Sequence, residues 1–100
     1  MSSTKTPVIN LVLTPVEIDV DDCIATILET SKLKLPWVEY QASVQVKCRA
    51  EGKEVTSQVF QVSFTDSDDL KRKLLIEVSK FKYNIFLYGV DELKKRGIIL

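Results

Sequence analysis

Two long runs of alternating apolar and polar residues, joined by the sequence AEGK, constrain the fold more than any other feature of this chain. The first run covers residues 37–49 and the second covers residues 54–64. Strict alternation places successive side chains on opposite faces of a strand, and a Gly at the junction supplies the left-handed conformation that a tight turn needs. The pattern therefore predicts a long antiparallel β-hairpin with one apolar face.

The hairpin needs cover along its apolar face, and the chain is long enough to supply it. One hundred residues, of which 45% are hydrophobic and 28% charged, fit one globular domain and argue against disorder. Residues 1–6 are small and polar, so we expect a flexible tail there. We expect residues 7–100 to form a single α+β domain.

The residues before the hairpin predict a strand followed by a helix. Residues 7–14 alternate in polarity and are rich in β-branched side chains, which is typical of a strand. Residues 19–34 begin with aspartates, and carboxylates stabilise a helix start by accepting its free N–H groups. Four residues then fall on one helical face: Ile24, Ile27, Leu28 and Ser31. Pro36 would end this helix.

A second helix is predicted after the hairpin, with Asp66 or Ser67 as its cap. Residues 82–89, KYNIFLYG, then allow two interpretations. Their aromatic and β-branched content favours a fourth strand, whereas the spacing 74, 78, 81, 85, 88 continues the helix to Gly89. Residues 91–96 predict a short helix that Gly97 closes.

The two interpretations lead to two architectures of the same class. With a fourth strand the order is β-α-β-β-α-β, which is the order of the ferredoxin-like fold, and we favour it. Without that strand, a three-stranded sheet is covered by one long second helix. Both are α+β folds in which helices cover one face of an antiparallel sheet and leave the other face open.

The polar side of the hairpin is the main candidate for function. It is either a solvated outer face, a contact between two chains, or a surface for nucleic acid. We expect a small intracellular interaction module, a homodimer that uses its sheet face or hairpin as the contact, with a further protein partner as another option. The predicted interface residues are Trp37, Gln41, Ser43, Gln45, Val59 and Gln61.

Nucleic-acid binding is the alternative function. Lys47, Arg49 and Lys53 cluster near the hairpin tip and could reach phosphates, together with the basic C-terminal segment. The sequence SQVFQVSF lacks the basic–Gly–aromatic motif of an RNA-recognition sheet. The formal net charge of zero gives this alternative no general support.

Candidate chemistry is sparse, so we expect no enzyme, no cofactor and no metal site. There is no histidine, which removes the commonest general base and most zinc sites. Glu17, Asp19, Asp21 and Asp22 lack the spacing of a calcium loop. Cys23 and Cys48 are expected to be free thiols, because a strand returning past the first helix would carry Cys48 beyond Cys23.

The same features suggest a compartment. No apolar run approaches the ~18 residues that span a bilayer, and MSSTKTP has no apolar signal core. Together with free thiols, this predicts a cytoplasmic protein without a membrane partner.

Overall fold

A computed structural model describes residues 15–100, which form five antiparallel strands followed by one long helix. The elements are β1 (Val16–Val20), β2 (Cys23–Lys32), β3 (Tyr40–Ala50), β4 (Lys53–Thr56), β5 (Phe60–Phe64) and α1 (Ser67–Lys95). The α+β class with an antiparallel sheet is confirmed. The tail predicted for residues 1–6 and the strand predicted for residues 7–14 lie outside the described residues.

The predicted hairpin is present, and its return arm is split into two strands. β3 pairs with β4 beside the turn and with β5 at the other end, where Tyr40 lies opposite Phe64. The turn consists of Glu51 and Gly52, whose φ angles are 53° and 75°. Both angles are positive, as a two-residue hairpin turn requires, and this is why the AEGK sequence predicts the turn correctly.

The return arm is interrupted at Ser57, a buried polar residue. Its hydroxyl accepts a hydrogen bond from the Val46 N–H at 2.9 Å and donates one to the Gln58 carbonyl at 2.8 Å. The chain end pairs with the outer side of this interruption, where the Gln58 N–H donates to the Ile98 carbonyl. These bonds satisfy backbone groups that the break in the ladder would leave unpaired.

The helix predicted for residues 19–34 is wrong, because these residues complete a second hairpin, β1–β2. Asp21 and Asp22 form its turn with φ angles of 47° and 68°, a conformation that Asp tolerates better than most residues. Cys23, Ala25 and Ile27 are buried at period-two spacing. The aspartates therefore make a turn and not a helix start, and the β-branched residues that follow pack as a strand.

The strand favoured for residues 82–89 is also wrong, because α1 continues through them. The ferredoxin-like order β-α-β-β-α-β is consequently not formed, and the layout resembles the alternative with one long helix, built on five strands instead of three. The residues of α1 that are buried against the sheet are Leu70, Leu74, Val78, Phe81, Val90 and Leu93. The part of α1 before its kink at Gly89, residues 67–88, is about 33 Å long, which is close to the ~36 Å length of an 11-residue strand.

Carboxylates stabilise the start of α1 and the point where it resumes after Gly89. Asp66 caps the first turn by accepting the Asp69 N–H at 2.8 Å, and Asp69 Oδ2 accepts the Thr65 N–H at 3.0 Å. Near the other end, Gly89 departs from helical geometry with φ 82° and ψ 161°. The helix resumes at the next residue, whose N–H donates to Glu51 Oε2 at 3.3 Å. The hairpin tip thus holds the second helical segment.

The core contains a disulfide between Cys23 and Cys48, so the free-thiol prediction is wrong. Ile24 lies opposite Lys47 in the β2–β3 register, and one step along each strand brings the two cysteines together at a Cα–Cα distance of 4.5 Å. Cys48 does not overshoot Cys23 because the preceding segment is a strand in register with β3. Extended residues advance about 3.3 Å each, against 1.5 Å in a helix.

Candidate interaction surface

The open face of the sheet carries most of the residues predicted to form an interface. Gln41, Ser43, Gln45 and Lys47 alternate with the buried residues of β3, and Gln61 lies opposite Ser43 on β5. The Gln61 side chain donates to the Ser43 hydroxyl at 2.9 Å, and the Gln45 amide donates to a backbone carbonyl at 2.9 Å. These hydrogen bonds are made within the chain and occupy one donor each of Gln61 and Gln45.

Two of the predicted interface residues lie elsewhere. Val59 is in the interruption between β4 and β5 and is half exposed beside Lys80 and Asn84 of α1. Trp37 lies in the loop between β2 and β3, where it is 57% exposed and its indole N–H donates to Glu39 Oε1 at 2.7 Å. The predicted set therefore does not form one continuous surface.

Among the residues that the structure describes, the open face also lacks the aromatic anchors that interfaces use. Buried interface centres are enriched in aromatic residues and depleted of charged ones. On this face the edge strand β1 contributes Glu17 and Asp19, and Ile24 on β2 is only partly exposed. A solvated outer face, which is common in antiparallel sheets, accounts for this composition.

The residues predicted to contact nucleic acid lie close to acids. Arg49 is opposite Glu54 in the β3–β4 register, and its guanidinium donates to the Gly52 carbonyl at 3.3 Å. Lys53 follows the turn that contains Glu51. Because Glu51 and Glu54 lie at the tip with Arg49 and Lys53, the tip carries charges of both signs and does not present a concentrated positive patch.

An apolar surface that the sequence analysis did not identify lies on the outer side of α1, away from the sheet. Phe86 is 84% exposed and Tyr83 is 61% exposed, which is unusual for large aromatic side chains. We define the outer stripe as Leu75, Ile76, Ser79, Tyr83, Phe86 and Leu87, all of them exposed. At 100° per residue these positions fall within one arc opposite the buried face of the helix.

The sequence contains the helical spacing of the outer stripe, although residues 82–89 were predicted to form a strand. Positions 76 and 83 are seven residues apart, and so are 79 and 86, which is the spacing of a helical stripe. Reading residues 82–89 as a strand hid this repeat. Once α1 is continuous, the helix has one apolar face toward the sheet and a second toward solvent.

Lysines border the outer stripe, and most of their charges are paired within the chain. Lys73 is 3.3 Å from Asp69, Lys80 is 3.2 Å from Glu77, and Lys82 is 3.2 Å from the Asp21 carboxylate. Carboxylates of the same molecule therefore neutralise these three lysines. Within residues 15–100, no other segment covers the apolar side chains that lie between these lysines.

Two electrostatic effects act at the ends of the helix. The Thr65 N–H, followed by Lys73 and Arg72, lowers the pKa of the Asp69 carboxyl below its ordinary value of 3.8. The hydrogen bond with Glu92 raises the pKa of the Arg96 guanidinium, which stacks 4.2 Å from the Tyr88 ring centre. Both groups stay charged near neutral pH, and both stabilise helix ends.

The described residues 15–100 show no group of three or more Cys, Asp or Glu side chains placed to hold a metal ion. In the same part of the chain, no helix combines the length and the apolar character needed to cross a membrane. Comparisons of the chain with protein-family models, with curated proteins and with solved structures found no match.

Proposed function

We propose that this protein is a non-enzymatic interaction module that forms a homodimer through the outer stripe of α1. The observation that supports it most directly is the exposure of Tyr83, Phe86 and their apolar neighbours on one continuous helix face. Apolar surface gains about 25 cal/mol per Å² when it leaves water, so a patch of this kind is stabilised by a partner. The proposal moves the contact from the sheet, where the sequence suggested it, to the helix.

The area of the outer stripe suits a second copy of the same chain. Aromatic side chains present about 150–250 Å² each, so with these exposed fractions the stripe offers about 500 Å². Two copies packed together would bury about 1,000 Å², which reaches the lower bound of specific protein–protein interfaces. An apolar contact of this size can offset the cost of association, which is about 4–15 kcal/mol.

The charges around the outer stripe also favour a second copy over an anionic partner. Basic amphipathic helices that bind anionic surfaces keep their cations available. Here the ion pairs of Lys73, Lys80 and Lys82 occupy three of the bordering cations. With a formal net charge of zero, two chains also approach each other without strong repulsion.

Light scattering coupled to size exclusion tests the proposal. We expect a species of twice the 11.4 kDa chain mass at low and high salt, because apolar contacts do not weaken as salt rises. Phe86→Glu should raise the dissociation constant at least ~30-fold, since hot-spot residues contribute about 2–4 kcal/mol. A wild-type protein that stays monomeric at the highest soluble concentration would refute the proposal.

Gln61→Glu is the matched control, because it places the same new charge on the open face of the sheet. If the outer stripe is the contact, this variant dimerises like the wild type. If the sheet face is the contact, as the sequence first suggested, Gln61→Glu weakens the dimer and Phe86→Glu does not. The pair of variants therefore separates the two surfaces.

Nucleic-acid binding stays the alternative and has its own outcome in these experiments. It expects retardation of DNA or RNA that weakens as salt rises, and that is lost when Lys47→Ala and Arg49→Ala are combined. Glu54, which lies opposite Arg49, and the zero net charge give it less support than the outer stripe gives the homodimer.

The cytoplasmic localisation also stays a prediction, and the disulfide bears on it. Disulfides persist in oxidising compartments and in intracellular proteins of hyperthermophiles, whereas other cytosolic proteins keep their thiols reduced. Acid quenching of intact cells, alkylation of the denatured protein and mass spectrometry report the redox state of Cys23 and Cys48. If the protein is in a reducing cytoplasm, we expect both cysteines to be alkylated. A pair that is not alkylated because it is disulfide-bonded would contradict the cytoplasmic localisation.

A further inference from the structure

Ser79 lies between an N-terminal and a C-terminal group of residues on the outer side of α1. Ile76 lies three residues before it and Tyr83 four residues after it, while Arg72 and Phe86 lie seven residues to either side. The half toward the N-terminus is aliphatic and is preceded on the same side of the helix by Arg72, and the other half contains Tyr83 and Phe86 beside Leu87. A face built of two different and complementary halves can pair with an inverted copy of itself.

From this arrangement we infer that two α1 helices pack antiparallel in the dimer, with the two-fold axis passing beside Ser79. The inference rests on the proposed function and specifies the geometry of that contact. A two-fold axis at residue 79 places Arg72 of one chain opposite Phe86 of the other. It places Leu75 opposite Tyr83, so each aliphatic half meets an aromatic half.

The guanidinium of Arg72 favours the antiparallel arrangement over the parallel one. Its side chain is 69% exposed and contacts Asp69 at 3.1 Å, which leaves the outward side of the group accessible. In a parallel pair, the two Arg72 side chains would meet as like charges at the same level. In the antiparallel pair, each guanidinium meets the Phe86 ring of the other chain, which is a favourable cation–π contact.

The small side chain at the centre permits close approach. Helix axes pack about 8–10 Å apart, and the smaller side chains give the shorter distances. Ser79 carries the smallest side chain of the outer stripe and lies midway between Arg72 and Phe86. Its larger neighbours Ile76 and Tyr83 can then interlock on either side of the axis.

Single-cysteine variants test the arrangement, because only a residue beside a two-fold axis can form a disulfide with its own copy. Ser79→Cys is expected to form an intermolecular disulfide under mild oxidation with copper phenanthroline. Arg72→Cys alone is not, since antiparallel helices place its two copies about 21 Å apart along the axis, beyond the ~7 Å limit for a disulfide. A mixture of Arg72→Cys and Phe86→Cys chains should cross-link. The native disulfide stays oxidised throughout.

The mass of each variant is measured before oxidation, which shows whether it is a monomer or a dimer. Gln61→Cys on the open face gives the background rate of random collisions, and Ser79→Cys should cross-link at least tenfold faster. Equally fast cross-linking of Arg72→Cys with itself would show a parallel pair and overturn the inference. A dimer in which Ser79→Cys does not exceed the background would overturn it while leaving the proposed function intact. A monomer would refute the proposed function itself.

Discussion

Removing the Cys23–Cys48 disulfide should lower the free energy of unfolding by about 3.5 kcal/mol. The bond joins residues 25 apart in sequence, and a crosslink stabilises mainly by restricting the unfolded chain. Loop-closure entropy for about 25 residues gives this figure at 25 °C, within the usual range of about 2–5 kcal/mol. For a domain of 100 residues, a loss of this size lowers Tm by about 15 °C.

The measurement uses Cys23→Ala, Cys48→Ala and the double variant, each unfolded in guanidinium and followed by circular dichroism. Protein concentration is held constant, because the Tm of an oligomer depends on it. Either single variant already breaks the crosslink, so each should lose nearly as much stability as the double variant. Chemically reduced wild type should lose a similar amount, since its unfolded chain is equally unrestricted.

Two results would refute this reasoning. A loss below 1 kcal/mol in the double variant would mean that the crosslink contributes little beyond the packing of the two side chains. Losses in the single variants that add up to that of the double variant would show two independent contacts, because partners in one bond are strongly non-additive. Both cysteines are buried, so after reduction of the disulfide the alkylation of the folded protein should proceed only through unfolding.

Two further predictions concern α1. Gly89→Ala should cost about 1–3 kcal/mol of stability, because φ 82° with ψ 161° is open almost only to glycine. Lys71→Ala at an exposed helical position should change stability by less than about 0.5 kcal/mol, and an equal loss in both variants would contradict the backbone explanation. The pKa of Asp69 is lowered in the folded state, so its contribution is present above about pH 4 and is lost as pH falls through the folded-state pKa. Asp69→Asn should therefore lose less stability than the wild type between pH 7 and pH 2 in thermal melts, and parallel curves would contradict the assignment.

The candidate surface shows where inference from the sequence reached its limit. The sequence correctly predicted that Gln41, Ser43 and Gln45 share the polar face of β3. It placed Val59 on the same face, because regular alternation was extended through the interruption at Ser57. It did not find the outer stripe, because the aromatic residues near Phe86 have strand propensity and their helical spacing was given less weight.

The same competition between patterns explains the error at residues 19–34. The two aspartates at positions 21 and 22 suit either a helix start or a two-residue hairpin turn. Ile27 fits both the helical spacing with Ile24 and the strand spacing with Ala25. Local propensity differs little between these states, so burial against β3 and α1 decides between them.

The sequence by itself determined the elements whose local signals all agree. Strict alternation and a turn glycine specify the β3 hairpin, and Asp66 with the spacing from Leu70 to Phe81 specifies the start of α1. Tertiary structure decided the conformation of residues whose local signals favour helix and strand about equally. It made residues 19–34 a strand pair, because only a strand in register with β3 brings Cys23 to Cys48. It kept α1 helical past Phe81, because an 11-residue strand needs cover along its full length, and that continuation exposes the outer stripe.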